Sequence, residues 1–216
     1  MATSQLELPW DSPLERREES PELPRVDPFC ETREWKMGDG AQKRWAEAQA
    51  RRGRIVLPVY GFEDNVPETK APMLIANDGL LVAPDLLLMG GSKGVQWNEV
   101  KAKAAPTWRR LAPGPRWEHG CDYSLLIGYE EVQERSAAQV FIVLNETMTP
   151  MDLQRESQLV TADIWLYIPL DDAKDFGQHR PDWPGGKQQP KRRGRRGMGG
   201  WLWPRDAMKL IPSTCL

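Results

Sequence analysis

Asp85, Glu99 and Lys101 are the residues of this chain whose types and spacing best suit chemistry. They lie in Val82-Ala-Pro-Asp85-Leu-Leu-Leu-Met89 and Val95-Gln-Trp-Asn-Glu99-Val-Lys101, two runs joined by Gly90-Gly-Ser-Lys-Gly94. The glycines supply the positive φ that a tight hairpin loop needs. Asp85 and Glu99 are equally far from Ser92, so an unbulged hairpin sets them opposite one another, with Cβ atoms roughly 5 Å apart. Alternation puts Lys101 on the face of Glu99 and leaves Val82, Leu86, Leu88 and Val100 for the core face. Two acids this close repel unless a cation neutralises them. With an ammonium beside them they could hold a divalent metal next to a phosphodiester. The plain alternative is a salt-bridged surface hairpin in which Lys101 is shared between the acids.

Other elements must position this hairpin. A helix is expected from Gly38 to Arg52, where Trp45, Ala46, Ala48 and Gln49 recur amid dense charge and Gly53 ends the run. Arg54 to Tyr60 reads as a strand whose Pro58 suggests an edge or bulge. Met73 to Ala76 reads as another, closed by the turn Asn77-Asp78-Gly79. Ala105 to Gly120, rich in Pro, Gly and Trp, reads as a long loop. Tyr123 to Ser136 predicts an amphipathic helix with Leu126, Ile127, Tyr129 and Val132 inward. Gln139 to Leu144 and Thr161 to Ile168 read as buried strands. The mixture predicts an α/β fold, a central mixed β-sheet flanked by helices. The divisions are a flexible, acidic, Pro-rich arm over 1–34, an α/β domain over 35–170, and a basic, irregular extension over 171–216.

Composition narrows the class of protein. At 216 residues the chain suits one domain with tails, and 40% hydrophobic residues can build a core although the mean hydropathy is −0.60. No apolar run is long enough to span a bilayer. The opening Met-Ala-Thr-Ser-Gln-Leu-Glu has neither the basic nor the apolar region of a secretion signal. Cys30, Cys121 and Cys215 are odd in number and lack metal-ligand spacing, which fits free thiols in a reducing compartment. The expectation is a cytoplasmic protein without a membrane partner.

At Pro84-Asp85 and Glu99-Val100-Lys101 the sequence resembles the PD-(D/E)xK nuclease superfamily, the restriction-endonuclease-like group. The resemblance covers roughly Gly38 to Asn145, including the helix before the hairpin and the helix–strand pair after it. It implies a nuclease that hydrolyses phosphodiester bonds of DNA with Mg²⁺ or Mn²⁺. Asp85 and Glu99 would bind the metal, with the Val100 carbonyl as a backbone ligand, and Lys101 would position water or stabilise developing charge. An acid on the first helix often completes such sites, and Glu47 is the residue carried over. Some branches also place a glutamine and a tyrosine on the helix after the lysine strand; Gln133 and Tyr129 lie four apart here, in the reverse order. A second function is a catalytically inactive protein of the same fold that binds nucleic acid or a partner subunit. A nuclease this short is expected to act as a homodimer or within a larger DNA-processing complex.

Nucleic-acid contacts have to be local, because the net charge is −2. Ten tryptophans, several beside arginines (Trp108-Arg109-Arg110, Arg116-Trp117, Trp201-Leu-Trp203-Pro-Arg205), suggest stacking and phosphate pairing or, more simply, core indoles beside solvated charge. Residues 187 to 205 hold seven basic residues and no acid. The expected DNA contacts are Lys103, Arg109, Arg110, Lys191, Arg192, Arg193, Arg195 and Arg196. Asp175-Phe-Gly177 lacks the companion motifs of a kinase, and the hairpin glycines lack phosphate-loop spacing. His119 and His179 read as surface histidines, and Glu118 and Asp122 as solvated charges.

Overall fold

The computed structural model describes residues 33–59, 73–76, 79–91, 94–110, 114–181 and 199–215. Helix α1 runs Arg33–Arg51 and is followed by β1 (Ile55–Pro58), β2 (Met73–Ala76) and β3 (Gly79–Val82). Strands β4 (Leu86–Met89) and β5 (Gln96–Lys103) lead to β6 (Thr107–Arg109), β7 (Arg116–Asp122) and helix α2 (Tyr123–Ser136). Then come β8 (Gln139–Pro150), β9 (Leu159–Pro169), α3 (Leu170–Phe176), β10 (Gln178–Arg180), β11 (Gly200–Pro204) and β12 (Lys209–Leu210). The acidic arm over 1–32 and the tract 182–198 lie outside the described residues, and with them Lys191, Arg192, Arg193, Arg195 and Arg196.

A six-stranded sheet in the order β1-β4-β5-β8-β9-β12 forms the centre. It is mixed, because β5 and β8 pair in parallel while every other neighbour is antiparallel. The parallel pair requires a crossover, and α2 supplies it. The expected α/β class with a central mixed sheet flanked by helices is therefore what the chain adopts.

Each face of the sheet has its own core. On one face Trp45 of α1 packs with Leu86, Leu88, Val100, Val143 and Trp165. On the other, Leu126, Tyr129 and Val132 of α2 pack with Trp97, Val140, Ile142, Leu144 and Ile168. Strand alternation sorts β5 between them: Asn98 and Val100 face α1, and Trp97, Glu99 and Lys101 face α2. Fully burying a side chain of this size stabilises by about 1.5–3 kcal/mol, so slipping β5 by one residue would be costly on both faces.

Three expectations change. The stretch 105–120 is not a loop: β6 and β7 pair through Thr107↔Glu118, Trp108↔Trp117 and Arg109↔Arg116. The described residues of the C-terminal part are not an irregular extension, since β10 and β11 join β7 and β6 in a second sheet ordered β10-β11-β7-β6 and β12 edges the central one. Trp203 of β11 is fully buried, so this part belongs to the packed body. Ile127 points outward and is exposed, whereas Leu126, Tyr129 and Val132 are buried as expected. No helix among the described residues is long and apolar enough to cross a membrane.

Candidate active site

The hairpin is unbulged. Leu86↔Asn98, Leu87↔Trp97 and Leu88↔Gln96 are its pairs, and the same register continued by one step sets Asp85 across from Glu99. Gly90, Gly91 and Gly94 have φ of 93°, 75° and 66°, the left-handed values that the loop demands. Asp85 is held by its own backbone, because its carbonyl accepts the Val59 N–H at 2.9 Å. Its side chain accepts the Val100 N–H at 2.8 Å and so caps the end of the β4–β5 ladder. The N–H and C=O of one strand residue point to the same edge, so the Val100 carbonyl also faces the Asp85 edge.

Asp85 and Glu99 are both buried, and Lys101 Nζ donates to Glu99 Oε1 at 2.5 Å. Burial first, and the neighbouring Glu99 second, hold the Asp85 carboxyl well above the usual carboxylate range. Burial works against the Lys101 ammonium, but Glu99 and then Asp85 outweigh it and raise the group above the ordinary lysine value. Burial and the same two acids push up the Tyr129 hydroxyl, which lies beside Glu99. The Cys121 thiol, against the same group, is pushed up to about 12, chiefly by burial.

This donor set fits a divalent cation. Two buried carboxyls with one ammonium in contact leave an excess of acid over base. Hard carboxylate and carbonyl oxygens are the ligands Mg²⁺ and Mn²⁺ prefer, and a cation could meet that excess. Among the described residues no cluster of three or more His, Cys, Asp or Glu is arranged to hold a metal. The set here is two acids and a backbone carbonyl.

Glu47 is not brought to this group. It lies on the solvent side of α1, paired with Arg51 at 3.9 Å, and α1 packs on the opposite face of the sheet. Tyr129 occupies the place beside Glu99 instead, while Gln133 holds the Val140 N–H and Asp171. Lys103 continues the line of Glu99 and Lys101 along β5, and burial, then Lys101, lower its ammonium. Arg109 pairs with Glu118 at 3.2 Å and Arg110 pairs with Glu156, so both charges are met within the chain.

A second charged cluster lies farther along the same face. His119 Nε2 and Glu146 Oε1 are 2.5 Å apart, and Arg205 grips both Glu146 oxygens at 2.7 Å. His119 is buried rather than at the surface, and burial lowers its imidazole although Glu146 opposes this. Burial would raise the Glu146 carboxyl, but His119 and Arg205 outweigh it and hold it below its usual value. Glu118 is likewise buried, between Arg109 and Arg116, rather than solvated. Trp117 and Trp203 follow the simpler reading as core, Trp117 donating to the Asp152 and Arg155 carbonyls, while half-buried Trp201 stacks on Tyr123. Exposed His179 joins that stack, 4.1 Å from the Tyr123 ring. An acid two positions after the apolar run Val140 to Leu144 was the one sequence signal for Glu146; nothing local marked its partners.

Comparison by sequence finds no matching family model and no matching curated protein. Among solved structures the chain is similar to Hjc, a Holliday junction resolvase from the archaeal hyperthermophile Archaeoglobus fulgidus. The TM-score is 0.42 at 10% identity, covering 83% of this chain and 100% of that one. That likeness says nothing about individual residues.

Proposed function

We propose that this chain is a metal-dependent nuclease that hydrolyses phosphodiester bonds of DNA. The observation that carries the reading is the buried Asp85–Glu99 pair with Lys101 against it, an acid-rich group whose charge the fold leaves unmet. Asp85, Glu99 and the Val100 carbonyl would hold Mg²⁺ or Mn²⁺, which when bound polarises a phosphate and lowers the pKa of water.

The protein's own groups have separable tasks. The Val100 N–H and the Val59 N–H fix Asp85 at the end of β4. Lys101, kept charged by the two acids, directs its ammonium to the atoms that gain negative charge during hydrolysis, where a positioned donor contributes most. Tyr129 orients Glu99 from α2, and the buried wall around Cys121 excludes bulk water and strengthens these interactions. Lys103 lies next along β5 and would meet the adjoining phosphate.

The test is cleavage of single-stranded, double-stranded and branched DNA with and without Mn²⁺, using Asp85→Ala and Lys101→Ala. The reading expects metal-dependent cleavage that both substitutions abolish. Cleavage surviving both would remove the site assignment, and no cleavage of any DNA would leave a binding protein of this fold.

A further inference from the structure

The face of the central sheet away from the candidate active site carries buried polar groups that the nuclease reading does not use. A cavity of about 240 Å³ opens between α1, β5 and the C-terminal residues, with Trp45, Gln49, Asn98 and Tyr167 in its lining and Arg52 and Arg54 also on it. Gln49 is 1% exposed, yet neither its Oε1 nor its Nε2 has a hydrogen-bond partner in the protein. Asn98 is 2% exposed; its Oδ1 accepts the Trp45 indole N–H at 2.9 Å, which fixes the amide's orientation, and its Nδ2 has no partner. Leaving a buried polar group unsatisfied costs about 1–3 kcal/mol, and the two residues that carry these three atoms both line this one cavity. Nothing in the packing of Leu86, Leu88 and Val100 requires amides here, where leucine would serve the core.

We infer that this cavity is a binding site for a nucleotide, its base held edge-on by Gln49 and Asn98 and its phosphate by Arg52 and Arg54. The chemistry of the lining selects that class. Gln49 offers one acceptor and one donor in a single plane, and Asn98 adds a donor, the alternation that a base edge presents in complement. Trp45 and Tyr167 supply aromatic surface for a flat ring, a contact worth about 1–3 kcal/mol per base. Pockets for drug-sized ligands run to about 300–1,000 Å³, so this smaller volume limits the buried part to one base-sized ring. Arg52 and Arg54 are two cations on a lining that holds no acid among the described residues; burial, then Arg52, lowers the Arg54 guanidinium, and an anion would relieve that repulsion. The nucleotide could be free or an unpaired residue of a strand, and the recognition chemistry is the same. The site uses none of Asp85, Glu99 or Lys101, so it stands or falls apart from the nuclease reading.

The experiment titrates the full chain carrying Lys101→Ala, without metal, following tryptophan fluorescence. The probes are AMP, GMP, CMP and UMP, adenosine, ribose 5-phosphate, and a DNA duplex with one bulged base beside its perfectly paired control. Saturable quenching is expected, with one nucleotide preferred at least tenfold over ribose 5-phosphate. Gln49→Leu should weaken that nucleotide at least tenfold without lowering the melting temperature, because it removes unsatisfied polar atoms rather than packing. Arg54→Ala, at the mouth and harmless to the core, should abolish the preference for AMP over adenosine. Binding of the bulged duplex alone, with the same Gln49 dependence, would support the site and make a strand its source. No saturable binding of any probe, or equal affinity in Gln49→Leu, would mean that the cavity holds water only and would overturn the inference.

Discussion

Two charged clusters share the α2 face of the central sheet, and their electrostatics are opposite. Around Glu146 a single carboxylate meets a bidentate guanidinium and an imidazole, every oxygen is used, and its pKa is held down. Around Asp85 two carboxyls meet one ammonium, and one of them is held well above its normal range. Both clusters are buried, and both rest on strands of the same ladder, since Lys103 of β5 pairs with Glu146 of β8. Charge balance, rather than burial, therefore separates them. The balanced cluster braces the second sheet to the first through Arg205 and His119. The unbalanced one keeps an excess of acid over base, and that excess is what the proposed metal site would use.

The sharpest way to break the comparison is to unbalance the brace. Arg205→Ala leaves Glu146 buried with half its partners gone and should destabilise the protein by about 3–5 kcal/mol in urea denaturation. Cleavage per folded molecule should hold; a rate that collapses while the protein stays folded would make the brace part of the site. Balancing the other cluster should do the reverse. Asp85→Asn removes one of two facing charges and should stabilise the metal-free protein by about 1 kcal/mol, raising Tm by roughly 2–4 °C. It should also cost about 10²–10³-fold in cleavage rate and abolish the rise in Tm on adding Mg²⁺, which follows from binding to the native state alone. A loss of Tm in Asp85→Asn would place the pair among braces.

The pH dependence sharpens the contrast with a smaller effect. His119 is lowered from 6.5 in the folded state, so below that value the unfolded chain takes up a proton first and stability falls as pH falls. Glu146 is lowered from 4.5, so its contribution is full above that value and is lost as pH falls through the depressed one. These two groups should therefore each lower the melting temperature on acidification from pH 7, His119 first and Glu146 later, while the raised Asp85 carboxyl works in the opposite direction; His119→Gln should remove the His119 contribution only. The least effect belongs to Glu47, exposed on the far side of the sheet. Glu47→Ala should change stability by no more than about 0.5 kcal/mol and leave cleavage unchanged, whereas a loss of cleavage like that of Asp85→Asn would return it to the site.

Much of the hairpin was legible in the chain because its determinants are local. Loop length, glycine conformation and period-two alternation set Asp85 against Glu99 and put Lys101 on their face, and these act over the |i−j| of 15 that separates Asp85 from Val100. Helix α2 was legible for the same reason, as Tyr129 and Val132 repeat at helical spacing. The second sheet was not. Strand β7 pairs with β11, which lies some eighty positions later and is only five residues long, and no local period announces such a partner.

The amino-acid sequence by itself thus determined the β4–β5 hairpin, its acid–acid–lysine group and the α/β class, all consequences of short-range periodicity. Tertiary structure alone decided which side of the sheet each helix covers, and with it that Tyr129 rather than Glu47 stands beside Glu99. It alone joined His119, Glu146 and Arg205, which are 27 and 59 positions apart. The physical reason is that helix placement and long-range pairing are settled by burying whole faces at once, and no single segment carries that information.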